Sequence, residues 1–176
     1  MTNSFFVYMH QLELMAFFSG YPLIYAFVHL VFGSRQLKNN SWRNNISLLP
    51  FSYALVGTLY LGLQLKNLYP GYSVENIKLA IQQPWLVLWA LLSAGFWIPA
   101  LGKKVVLSLL HSCIFICFLL KDLFVQFSSS FPDGNVVKND MKIYTCSLIL
   151  HLGAFGLIVL ISFLFTNYKR HSIALR

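Results

Sequence analysis

The sequence predicts an all-α integral membrane protein: a five-transmembrane-helix bundle with the N-terminus outside and the C-terminus cytoplasmic. Three observations predict it. Of the 176 residues, 57% are hydrophobic and only 10% are charged, far more apolar surface than one small water-soluble core can hide. The apolar residues fall into five runs of near-spanning length, separated by polar breaks. All five acidic residues fall on one side of the resulting layout.

A membrane helix needs roughly 20 mostly apolar residues. The first twelve residues, ahead of the first run from Leu14 to Phe32, contain no Lys or Arg. The run is too long for a signal peptide, and Tyr21-Pro22 stands where a small-residue cleavage site would be needed, so it is read as a retained span. The second runs from Ser47 to Leu65. The third, Trp85 to Leu101, and the fourth, Val105 to Val125, are separated only by Gly102, Lys103 and Lys104. Pro99 and Gly102 disfavour a continuous helix, and two lysines at mid-bilayer are costly, so a tight turn at the surface is expected there. The alternative is four spans, one of them long and broken. The fifth run is Ile143 to Phe165.

Orientation follows from the basic residues, which are retained on the cytoplasmic side. Arg35, Lys38, Arg43, Lys103, Lys104, Lys169, Arg170 and Arg176 fall on one side, and Lys66, Lys78, Lys121, Lys138 and Lys142 on the other. Glu13, Glu75, Asp122, Asp133 and Asp140 accompany the smaller group. In a bacterium this places the chain in the inner membrane. The net charge of +8 does not indicate nucleic acid, because the cations sit in short clusters beside apolar runs, where they meet lipid headgroups.

The whole chain, 1–176, is read as one membrane domain. Val74, Ile77 and Ile81 recur at helical spacing between Glu75, Lys78 and Gln82, which predicts a short interfacial helix over 73–83. The segment from Gln126 to Lys142, with Ser128-Ser129-Ser130 and Pro132-Asp133-Gly134, reads as an outer loop.

Chemistry is sparse. Cys113, Cys117 and Cys146 form no CxxC pattern, and they read as small buried packing groups. No His-Glu-x-x-His occurs, and no carboxylate lies deep in a span to load and unload an ion. No enzymatic activity, cofactor or metal is therefore expected. His29, His111 and His151 do lie within spans, where an imidazole needs a partner. By depth, His29 and His111 match each other near the inner side, so they are the candidate axial ligands of a haem b in an electron-transfer anchor. A third possibility is a small-molecule or lipid carrier with a pocket lined by Tyr53, Thr58, Trp89 and His151.

Small residues at Ser93, Ala94 and Gly95, at Ser108 and Ser112, and at Gly153, Ala154 and Gly156 let helix backbones approach closely. With little mass outside the membrane and no active-site constellation, the expected role is that of a non-enzymatic accessory or scaffolding subunit. Its expected partners are the lipid bilayer and the transmembrane helices of other membrane protein subunits.

Overall fold

A computed structural model of the chain describes residues 14–33, 46–67, 84–128 and 134–174. These are helices and turns, with no strand among the described residues. The elements are α1 (Tyr21–Gly33), α2 (Leu49–Asn67), α3 (Pro84–Ala94), a 3-10 turn (Gly95–Trp97), α4 (Pro99–Gly102), α5 (Val105–Ser128) and α6 (Gly134–Ala174).

The centre is α2, which packs against α3, α5 and α6. Its buried residues Leu49, Tyr53, Val56 and Tyr60 recur at the helical period. Directions follow from the facing pairs. Tyr21 meets Tyr53, and Phe18 meets Tyr60, so α1 and α2 are antiparallel. A Cβ on Gly57 would overlap Ser93, and one on Gly102 would lie 2.9 Å from the Phe51 ring, so α3 and α4 return antiparallel to α2. Tyr53 reaches His111, and Phe18, which meets Tyr60, stacks on Phe115, so α5 runs parallel to α2.

Two of the expected spans are interrupted, each for a local reason. In the first, helical residues 14–18 give way to a turn at Ser19 and Gly20 before α1 begins. Pro22 has no N–H to return to the carbonyl of Phe18, so the ladder cannot be complete there. The third, expected over Trp85 to Leu101, is regular only to Ala94. Pro99 biases Ile98 to an extended backbone (φ −70°, ψ 123°) and opens the four-residue α4. The chain then turns at exposed Lys103 and Lys104, where the sequence places the hairpin, so no single long helix joins the third and fourth runs.

The fifth run extends beyond its expected limits. Its helix starts at Gly134, so the second half of the expected loop from Gln126 to Lys142 is helical. No Gly or Pro occurs between Asn135 and Leu152, and nothing stops the helix. The interfacial helix expected over 73–83 lies outside the described residues, as do Glu13 and Glu75.

By length and composition, one helix among the described residues can cross a membrane: Met141–Tyr168, with mean hydropathy 2.5. It is not a core helix, since only 17% of its apolar stretch is buried. Its inner stripe is Ser147, His151, Ala154 and Ile158, and its outer side exposes Ile149, Leu152, Leu157, Leu160, Phe163 and Leu164. Water is a poor solvent for such a surface. Shorter apolar helices cover Leu14–Leu30, Leu88–Trp97 and Val105–Cys117.

Candidate functional site

The polar groups of the core converge on Tyr53, which is fully buried. Its hydroxyl meets His111 Nδ1 at 2.6 Å. The His111 ring stacks on Trp89, with centroids 4.4 Å apart, and has Phe18 and Phe96 at its edges. On the other helix contacting Tyr53, the His151 ring lies nearly parallel to the tyrosine, 6.1 Å away and tilted by 14°. Tyr21 packs on Tyr53 at 4.5 Å and shares a 2.8 Å hydrogen bond with Ser108. Five helices supply these groups: Tyr21 on α1, Tyr53 on α2, Trp89 on α3, Ser108 and His111 on α5, and His151 on α6.

The break in the first helix is closed by α6. Ser147 Oγ accepts from Gly20 N–H at 2.9 Å, and His151 Nε2 lies 2.8 Å from the Phe17 carbonyl. Ser147 and His151 are one turn apart, so they meet the two sides of the interruption together. A backbone carbonyl only accepts, so His151 carries its proton on Nε2 and its Nδ1 holds a lone pair. A hydroxyl can donate or accept, and the arrangement that leaves fewer buried groups unpaired among the described residues has Tyr53 donating to His111 Nδ1, which puts the proton of neutral His111 on Nε2.

Among the described residues, three buried nitrogens in this cluster have no hydrogen-bond partner: Trp89 Nε1, His111 Nε2 and His151 Nδ1. The Trp89 main chain faces His111, but no bond to Nε2 forms. Each such group costs about 1–3 kcal/mol when left unpaired away from water.

Of the residues singled out in the sequence, Tyr53, Trp89, His111 and His151 come together. Thr58 does not: it is exposed, and its Oγ1 accepts from Trp97 Nε1 at 2.9 Å. His29 is also apart. It is exposed on α1, with its ring 6.0 Å from that of Tyr25, and the ring neighbours of His111 do not include it. The depth match that pairs His29 with His111 leaves the direction around the helix open. Tyr21, Ile24 and Val28 form the buried stripe of α1, and His29 lies off it.

Phe115, Ser108 and Ser112 are buried beside His111, as their spacing implies. The cysteines are free, but they are not buried packing groups: Cys113 is half-buried, and Cys117 and Cys146 are exposed. No group of three or more metal-ligating side chains occurs among the described residues. Gly20 and Ser147 escaped the sequence reading, although the proline at position 22 inside an apolar run was a signal for them. Comparison of the chain with protein-family models, with curated proteins and with solved structures returns no match.

Proposed function

We propose that this protein is a multi-span helical subunit of a bacterial inner-membrane assembly, with its N-terminus outside and its C-terminus in the cytoplasm. It has no enzymatic role in this reading, and it holds partner transmembrane helices through the outer face of α6. Alternation of direction through α1, α2, α3 and α5 supports repeated crossing. So do the large apolar side chains that each of them turns outward, such as Phe27, Leu59, Leu88 and Leu110.

One observation carries the partner reading. Glycines used inside the bundle are crowded: a Cβ on Gly20 or Gly102 would lie within 3 Å of a neighbour's backbone or ring. Gly153 and Gly156 instead face open space, with nothing within 4 Å. They form a notch in the exposed stripe Ile149, Gly153, Gly156, Leu160 of an apolar helix. A glycine in a helix interior costs about 1 kcal/mol relative to alanine, and no contact among the described residues offsets this. Close approach of another helix, driven by packing of small residues, does.

Purification in gentle detergent followed by mass determination tests the reading. A stoichiometric co-purifying subunit, lost on Gly153→Leu and Gly156→Leu with the bundle still folded, supports it. A monomer carrying only lipid, unchanged by both substitutions, overturns it.

A further inference from the structure

The core contains a pair of hydrogen-bond donors with nothing to donate to. Trp89 Nε1–H can only donate, and His111 Nε2–H becomes a donor because Tyr53 occupies Nδ1. The two nitrogens belong to rings stacked 4.4 Å apart, on α3 and α5. Two unpaired donors on adjacent rings match the two lone pairs of a carbonyl oxygen.

The surroundings narrow the ligand further. The rings touching this pair are those of Phe18, Tyr53, Phe96 and Phe115, and no charged side chain contacts them among the described residues. A carboxylate here would lose its hydration without gaining an opposite charge, so the ligand is uncharged. Rings packed edge-to-face around the donors favour a planar aromatic partner. Trp89 and His111 are half-buried, and their sequence neighbours Leu88, Leu92, Leu110 and Ile114 are exposed. The two rings therefore reach the apolar outer surface while their nitrogens are covered, so a molecule dissolved in the hydrocarbon meets the donors only as the surrounding side chains shift. The irregular segment Gly95 to Ile98 brings Phe96 against the same histidine, and its backbone is not held in a continuous helical ladder.

We propose that Trp89 and His111 form a binding site for an uncharged, lipid-soluble ring carbonyl compound of the quinone class. Trp89 Nε1–H and His111 Nε2–H hold one carbonyl oxygen, and Tyr53 acts as a positioning residue that fixes the histidine tautomer. The site does not depend on the partner-binding face of α6.

The test uses the full chain in phosphatidylcholine nanodiscs, with empty nanodiscs as the blank. The probes are 2-methyl-1,4-naphthoquinone and 2-methylnaphthalene, which share a shape and differ in the carbonyls. Saturable binding of the quinone, at least about tenfold tighter than the hydrocarbon, is expected, since each hydrogen bond to an otherwise unpaired buried donor contributes up to about that factor. Trp89→Phe and His111→Phe each reduce the preference, and Tyr53→Phe reduces it without removing a donor ring. Equal binding of the two probes by the unaltered protein overturns the proposal, and this comparison needs no variant to fold. A preference that survives both Trp89→Phe and His111→Phe overturns it as well.

Discussion

His151 donates from Nε2 to the carbonyl of Phe17 across 2.8 Å, joining residues 134 positions apart in the chain. The bond closes an interruption that proline and glycine open in the first helix. A buried carbonyl freed in this way has no water to turn to, so a second helix satisfies it.

Replacing His151 with Phe keeps a ring and removes the donor. The variant is expected to lose about 1–3 kcal/mol, the cost of an unpaired buried carbonyl, read as a lower thermal midpoint in detergent. Ser147→Ala, which strands the Gly20 N–H, is expected to act in the same direction. A midpoint unchanged in both variants would show that the break is held by something else.

Glycine substitutions separate crowded from open positions. Gly20→Ala places a methyl 2.8 Å from the Ser147 backbone and forces two helices apart, at about 1–3 kcal/mol. Gly62→Ala meets nothing within 4 Å and gains up to about 1 kcal/mol from helix propensity. The two midpoints should move in opposite directions.

Tyr53 and His111 are expected to be coupled. Tyr53→Phe leaves a bare lone pair on His111 Nδ1, and His111→Phe leaves the tyrosine hydroxyl without its acceptor, each at about 1–3 kcal/mol. In the double variant neither group remains, so the combined loss is smaller than the sum of the two. Simple additivity in a double-mutant cycle would refute the bond.

Sidedness is tested with exposed lysines in a chain whose three native cysteines are replaced by alanine. Lys66→Cys at the end of α2 and Lys103→Cys at the turn before α5 are both exposed. Antiparallel α2 and α3 put them at opposite ends of the bundle, so an impermeant thiol reagent added outside intact cells should label position 66 and spare 103. Labelling of both from one compartment would refute the alternating path.

Local chemistry made much of this legible in advance. The turn at Lys103 and Lys104 follows from Pro99 and Gly102, and Ser108 and Ser112 are small residues at positions of α5 where backbones approach closely. The break at Ser19 and Gly20 was visible as a proline in an apolar run, but its partners on α6 were not. Depth along a helix was readable from residue counts, whereas azimuth was not, and for that reason His29 was matched to His111 when His151 is the histidine that shares Tyr53 with it.

By itself the sequence determined the all-helical class, the apolar runs and the turn after Pro99 and Gly102, because hydrophobicity and backbone restriction act on neighbouring residues. Tertiary structure alone decided which polar side chains meet. The Tyr53–His111 bond, the Trp89 stack and the closure of the first helix by Ser147 and His151 depend on how α2, α3, α5 and α6 are rotated against one another. That rotation is set by packing of whole faces, with small residues such as Gly57 and Ser93 fixing how closely the backbones approach.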